Sequence, residues 1–205
     1  MLLKIKDMKQ VVTLLENEWN LGEKESGAPR RLCAWIYMME ILEETEQFAY
    51  YRENGKIVGI AGYSKDNSKK YLLRKKFYTF IKNQLYKSKK IKNPKALKEY
   101  GENYNYLPEN MKDNFDGEIS ILILDEKYRG RGIGKKVLQE VFNLAKKADV
   151  KNLRILTDES CNYNIYEKLG CEKAFETIIK NKEYGKCEGA EYTKAFVYKK
   201  TLSTF

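Results

Sequence analysis

The sequence of 205 residues predicts a mixed α/β fold of the α+β kind. Three observations carry this prediction. A hairpin signal lies in the first third, an apolar run leads into a glycine-rich turn and an amphipathic helix, and two strand-like segments close the chain. Hydrophobic residues make up 42% of the chain, enough to bury one sizeable core. We expect a single domain over 1–205 with a basic helical insertion at about 65–116.

The elements before the insertion follow from periodicity and turn residues. Residues 2–7 have strand character, whereas 8–21 and 28–45 place apolar side chains at helical spacing, the latter with a proline in its first turn. Residues 47–64 predict two strands around Asn54-Gly55, a dipeptide that favours a two-residue hairpin turn.

The insertion opens with a helical pattern over 69–86 and continues as polar, weakly patterned sequence through Asn114. Residues 117–124 predict a buried strand, and 134–148 predict an amphipathic helix. The remaining predicted elements are a strand at 151–158, a short helix at 161–170 and two antiparallel strands within 171–183 and 195–202.

Composition excludes several kinds of chemistry. The chain has no histidine, which removes Ser-His and Cys-His nucleophile pairs and disfavours ordinary zinc sites, so we expect no metal. Its cysteines (Cys33, Cys161, Cys171 and Cys187) form no C-x-x-C pair, which predicts reduced thiols in a cytoplasm. No signal peptide and no apolar run of about 18 residues is visible, so we expect a soluble protein with no membrane partner.

The positive charge is concentrated in one segment. The net charge is +10, and residues 65–100 hold thirteen Lys or Arg and two acids, a local +11 that leaves −1 for the rest. Such a segment can bind a polyanion, or it can be a lysine-rich solvated helical face. We favour the solvated face and expect no nucleic-acid partner.

Three glycines on alternate positions follow the strand at 117–124 directly. Gly130, Gly132 and Gly134 precede a helix, where unpaired amide groups and the helix dipole attract an anion. Glycine lets a phosphate approach the backbone, and four nearby cations add positive charge, namely Arg129, Arg131, Lys135 and Lys136. The spacing G-x-G-x-G matches neither a dinucleotide fingerprint nor a P-loop.

The pattern that fits is R-x-x-G-x-G, formed by Arg129, Gly132 and Gly134. It resembles the acetyl-CoA pyrophosphate loop of the GNAT superfamily of N-acetyltransferases. The segment NIYEKLGC (164–171) is similar to the family's Y-E-K-x-G-F, with Cys171 replacing the final aromatic residue. The resemblance implies a central, mostly antiparallel twisted sheet flanked by helices, and acetyl-CoA as co-substrate without a metal.

The resemblance also implies which residues hold acetyl-CoA. The diphosphate would lie on the amides of 130–135 and the pantetheine arm along the strand that ends at Leu124. The family often has an asparagine that contacts the cofactor at the position of Glu159. Asn162 or Asn164 can take this role here, and Asn162 is preferred. The favoured role of Asn162 is nevertheless that of a helix cap. The implied cofactor-binding residues are Leu122, Ile123, Leu124, Arg129, Gly130, Arg131, Gly132, Ile133, Gly134, Lys135, Asn162 and Tyr166.

The reaction implied is direct attack of an amine on the thioester. Tyr166 occupies the position of the family's general acid, with a core tyrosine as the alternative. Glu118 shares a strand face with Leu122 by alternation and is a candidate base, with a solvated glutamate as the alternative. For Cys161 a buried thiol is favoured over an acetylated nucleophile, because no histidine can activate it.

The predicted function is acetyl transfer from acetyl-CoA to a primary amine of a small molecule or peptide. The alternatives are a non-catalytic acyl-CoA-binding regulatory module and a nucleic-acid-binding protein, which lacks a recognised reading motif. Residues 19–45 and the insertion would shape the acceptor groove. The basic charge of the insertion disfavours a polycationic acceptor. The aromatic residues that could line this groove are Trp19, Trp35, Tyr37, Tyr78 and Tyr104. The identity of the acceptor and the choice between monomer and homodimer stay open.

Overall fold

The computed structural model describes residues 3–19, 21–68, 71–102, 106–180 and 192–202. Within them the helices are α1 (Ile5–Glu18), α2 (Glu23–Ser26), α3 (Arg30–Glu44), α4 (Leu72–Tyr86), α5 (Pro94–Glu102), α6 (Ile133–Lys147) and α7 (Asn164–Lys168). The strands are β1 (Gln47–Glu53), β2 (Lys56–Lys65), β3 (Gly117–Leu124), β4 (Asn152–Asp158), β5 (Glu172–Lys180) and β6 (Tyr192–Thr201). Short 3₁₀ turns cover Glu109–Asn114 and Glu126–Tyr128.

The strands form one six-stranded sheet in the order β1-β2-β3-β4-β6-β5. All neighbours are antiparallel except β3 and β4, which are parallel. The predicted mixed α/β fold with a mostly antiparallel sheet is therefore confirmed. The parallel pair is short, since only Gly117↔Leu153 and Glu118↔Arg154 are paired. Beyond these two pairs β3 and β4 separate, which opens the sheet at its centre.

Helices cover both faces of this sheet. On one face α1 and α3 bury Val11, Leu15 and Met38 against Ile60 and Ile121. On the other face α6 buries the apolar positions that the sequence predicted, Val137, Leu138, Val141, Phe142 and Ala145. The two cores fix β3 from both sides and so determine where the opening beside it lies.

The strand predicted over 2–7 is wrong, because α1 begins at Ile5. Ile5, which suggested alternation, is 73% exposed, while the buried face starts at Asp7 and continues through Val11 and Leu15. Asp7 can be buried because Arg52 Nη2 on β1 lies 2.7 Å from its carboxylate. The alternating pattern was too short to outweigh this longer helical period.

The helix predicted within 69–86 is confirmed as α4, which packs against α3. α5 forms within sequence that was predicted to be weakly patterned. Three large apolar side chains of α4 point to solvent, since Leu73, Phe77 and Phe80 are 83%, 58% and 61% exposed. In the part of the chain described, no helix combines the length and the apolar composition that crossing a bilayer requires.

Candidate active site

A cleft of about 570 Å³ opens where β3 and β4 separate. Helix α3 contributes Tyr37, Glu40 and Glu44 to its wall, β3 contributes Glu118 and Leu122, and α7 contributes Tyr166. The sequence predicted the last three as site residues, and the fold brings them to one cavity. α4 from the insertion closes the opposite side, as expected for a segment that shapes an acceptor groove.

The edge of β3 that faces the cleft carries main-chain groups directed away from β2. The Asp125 N–H donates to the Val58 carbonyl at 2.9 Å. Because bonded positions alternate along an antiparallel ladder, Ile123 also directs its main-chain groups to β2. Leu122 and Leu124 therefore direct theirs toward the cleft. Of the three predicted strand residues, two lie at the open edge, while Ile123 has its side chain in the core, 3% exposed.

The glycines after β3 serve two different purposes. Gly130 and Gly132 have φ of +78° and +74°, which other residues rarely adopt, and Gly132 is the N-cap of α6. A Cβ at either position would meet nothing within 4 Å, so both face open space. Gly134 instead lets α6 approach α7, since a Cβ there would lie 3.2 Å from Ile165 Cδ1.

The backbone amides of this loop point into that open space. The first N–H of α6 with a main-chain acceptor is that of Lys136, which donates to Gly132 O at 3.1 Å. Among the described residues, the N–H groups of 130–135 have no protein acceptor. Unpaired amides at a helix N-terminus can bind an anion, so the anion site that the glycine pattern predicted stays a prediction that this geometry permits.

The charges around the loop are partly neutralised. Arg129 forms an ion pair with Glu18 of α1, and Glu18 also accepts a hydrogen bond from the Glu126 N–H at 3.0 Å. Arg131 lies 3.7 Å from Glu53. Glu18 therefore ties the loop to α1. Arg129 is a residue that holds the loop in place as well as a source of positive charge.

Tyr166 lines the cleft from α7. Its side chain is 6% exposed, and its ring centroid is 5.4 Å from that of Tyr198. Burial, with a smaller effect from Cys161, raises the pKa of Tyr166, and a hydrogen bond with Thr157 offsets part of the increase. The hydroxyl is thus protonated at neutral pH and can donate a proton to a basic group in the cleft.

Glu118 is positioned by an ion pair at the point where the strands separate. Its Oε2 lies 2.8 Å from Arg154 Nε, and the same guanidinium binds Asp66. Burial raises the pKa of Glu118, and Arg154 acts in the opposite direction, with a net increase. A carboxylate of raised pKa at the wall of a cleft is a better proton acceptor than a solvated one.

Comparison with known proteins matches this geometry to a family. Residues 94–171, which include the glycine loop and α7, match the model of the acetyltransferase (GNAT) family. This segment of the chain is similar to the GNAT acetyltransferases. No curated protein sequence matches the chain.

Solved structures share the fold over nearly the whole chain. An N-acetyltransferase from Staphylococcus aureus has a TM-score of 0.56 at 16% identity and covers 99% of this chain and 97% of its own. Arylalkylamine N-acetyltransferase 2 from Aedes aegypti has a TM-score of 0.57 at 18% identity, with 99% and 98% covered. The ribosomal-protein-S18-alanine N-acetyltransferase from Escherichia coli has a TM-score of 0.51 at 14% identity, and the match covers 99% of this chain and 92% of its own. At these identities the likeness concerns the fold.

One face of α3 was not singled out from the sequence. Tyr37, Glu40 and Glu44 line the cleft together, since their spacing of three and four residues places them on one side of a helix. Burial and the neighbouring Glu40 raise the pKa of Tyr37. The pKa of Glu40 is raised by burial and lowered by Lys82 and by the hydroxyl of Tyr86, which donates to it at 3.2 Å. In the sequence these three residues form a polar stripe at helical spacing, beside the apolar stripe that predicted α3.

Two expectations about the α7 region are wrong. Asn162 does not cap α7, whose N-cap is Tyr163 without a side-chain cap bond. Cys161 was expected to be buried but is exposed at the cleft wall. Cys33 and Cys171 are buried free thiols, whereas Cys187 and the groove candidate Tyr104 lie outside the described residues. Within the described ranges no cluster of three His, Cys, Asp or Glu is arranged to hold a metal ion.

Proposed function

We propose that this protein transfers an acetyl group from acetyl-CoA to a primary amine. The observation that carries the proposal is that the unpaired amides of 130–135 follow closely on β3, whose open edge at Leu122 lines the same cleft as Tyr166. A diphosphate on those amides and an extended arm along Leu122 and Leu124 would bring a thioester beside the tyrosine hydroxyl. Fixed amide dipoles and lysines suffice to hold such an anion.

The charges of the cleft support an acceptor that arrives as a cation. Glu40, Glu44 and Glu118 line it, whereas Lys82 and Lys98 are the basic residues of its wall. The charge of Lys82 is already paired within the protein, since its Nζ lies 2.7 Å from Glu43 and 4.0 Å from Glu40. An ammonium group of a small molecule or a peptide is therefore attracted to the cleft, although the insertion as a whole is basic.

The residues supply each step of the transfer. Glu118 takes the proton of the ammonium group, directly or through water. The amine nitrogen then attacks the thioester carbon, and the N–H of Leu122 or Leu124 stabilises the oxyanion. When the tetrahedral intermediate collapses, the C–S bond breaks and Tyr166 donates its proton to the departing thiolate. The nitrogen loses its excess proton to the resulting tyrosinate, directly or through water, which gives the neutral amide and restores Tyr166.

The test is kinetic and uses a matched tyrosine. Tyr166→Phe should lower kcat by about 10²–10⁴-fold, the usual contribution of a general acid, with unchanged affinity for acetyl-CoA. Tyr198→Phe is the control, because its ring neighbours Tyr166 but its hydroxyl donates to Glu167 at 3.0 Å. Equal rates for both variants would make Tyr166 structural. A wild type that binds acetyl-CoA but acetylates no amine would be the regulatory module.

A further inference from the structure

A second cavity of about 450 Å³ adjoins the active-site cleft. It lies between the C-terminal end of α3, the end of β2 and the start of α4, and Glu44 and Glu118 line both cavities. Its wall is polar, which separates it from an apolar packing void. Because the shared residues include the candidate base, a molecule whose amine reaches Glu118 can extend into the second cavity.

The unsatisfied polar atoms of the described residues all belong to this cavity. Three buried side-chain atoms lack a hydrogen-bond partner, namely Glu43 Oε2, Glu46 Oε1 and Arg74 Nε. All three residues line the second cavity. Glu43 Oε2 has Lys82 Nζ 2.7 Å away as an ion-pair partner. The other two atoms have no partner in the described part of the chain, a rare condition that calls for a ligand or water.

The protein holds these two atoms in place without satisfying them. Arg74 donates from Nη2 to Thr45 O at 2.6 Å, and its guanidinium lies 4.2 Å from the ring centroid of Tyr71. Glu46 is 5% exposed, and its own N–H donates to Tyr63 O at 2.8 Å in the strand pairing. Arg154, the other guanidinium at the wall, already binds Asp66 and Glu118. The site therefore presents one fixed acceptor and one fixed donor.

We propose that the second cavity binds an amide group of the acceptor. A peptide-like amide matches the pair, because its N–H can donate to Glu46 Oε1 while its carbonyl accepts from Arg74 Nε. This inference rests on the proposed acetyl transfer, and it narrows the acceptor to an amino-acid amide or a peptide whose amine lies at Glu118. A simple alkylamine fills the cleft and leaves both atoms unpaired.

The test compares two amines that differ in this group. Calorimetric titration of the CoA-bound protein with alanyl-alanine amide and with n-butylamine should show at least tenfold tighter binding of the peptide amide. Glu46→Met and Arg74→Met should each weaken peptide-amide binding by about 10–100-fold, as expected for a lost hydrogen bond to a charged group, and leave n-butylamine unaffected. Lys76→Met is the matched control, since Lys76 is an exposed cation of α4 that does not line the cavity.

The outcomes separate this inference from the proposed function. Equal binding of the two amines, or a peptide preference that survives both substitutions, overturns the amide subsite and indicates bound water instead. A melting temperature lowered by Glu46→Met also overturns it, because removing a carboxylate oxygen that has no protein partner should not destabilise the ligand-free fold. Retained peptide preference without turnover overturns acetyl transfer and leaves the amide subsite standing.

Discussion

Gly132 offers the sharpest test of the anion site. Its φ of +74° means that Gly132→Ala strains the backbone by roughly 1–2 kcal/mol, which lowers the melting temperature by about 2–8 °C for a chain of this size. The new Cβ meets no protein atom within 4 Å, so it projects into the space where a phosphate would approach the amides. Losing two charge-assisted hydrogen bonds there, at about 1.5–3 kcal/mol each, weakens binding by at least about 100-fold.

The assay is thermal denaturation with and without acetyl-CoA. At 100 times the wild-type Kd the ligand stabilises the wild type by about 2.7 kcal/mol, or about 5–11 °C. A variant that binds 100-fold more weakly gains only about 0.4 kcal/mol, or about 1–2 °C, under the same conditions. The measured quantity is therefore the difference between the two shifts.

Gly55→Ala is the matched control for this experiment. Gly55 in the β1–β2 turn has a φ of +77°, and a Cβ there, like one at Gly132, would meet nothing within 4 Å. The Gly55→Ala variant should lose the same apo stability yet keep the full acetyl-CoA shift. If Gly132→Ala also kept the full shift, the amides of 130–135 would not hold the diphosphate.

Two further predictions concern ion pairs. Arg154→Met removes the cation that lowers the pKa of Glu118. Because a general base works only above its pKa, the acidic limb of the pH profile of kcat/KM should move to higher pH. If the limb does not move, Glu118 is not the base. Arg52→Met leaves the Asp7 carboxylate, 4% exposed, without its cation and should destabilise by about 3–5 kcal/mol in denaturant titrations. Asp7→Asn should reduce the free energy of unfolding by less than Arg52→Met does, because Arg52 is 30% exposed and its guanidinium can be solvated. Equal losses of stability in the two variants would contradict this reasoning.

Local signals were sufficient for much of the fold and for the loop. The Asn54-Gly55 hairpin, the strand at 117–124 and the glycine turn all depend on residues that are close in sequence, and each forms where the pattern predicted it. The short helix that carries Tyr166 was predicted for the same reason, since its motif closely follows β4. Turn chemistry and periodicity act within a few residues, so the chain itself reveals them.

The rest depends on contacts between distant segments. The start of α1 was missed because burying Asp7 requires Arg52, 45 residues away. The role of Arg154 as the partner of Glu118 follows from strand pairing 36 residues apart, which periodicity does not reveal. The cavity with Glu46 and Arg74 likewise needs α4 to dock beside the α3–β1 turn. Each of these arrangements is decided by tertiary packing, which overrides local patterns.

The break in strand pairing connects the fold to the chemistry. Glu118↔Arg154 is the last pair between β3 and β4, and opposite charges facing each other across parallel strands stabilise that junction. Beyond it the main chain of Leu122 and Leu124 has no strand beside it, although unpaired main-chain groups inside a protein are unfavourable. Covering this edge with a seventh strand would satisfy those groups but would also fill the cleft. In the proposed reaction an extended substrate arm would satisfy them only while it is bound, so the free energy that the open edge lacks in the empty protein would then contribute to holding the thioester beside Tyr166.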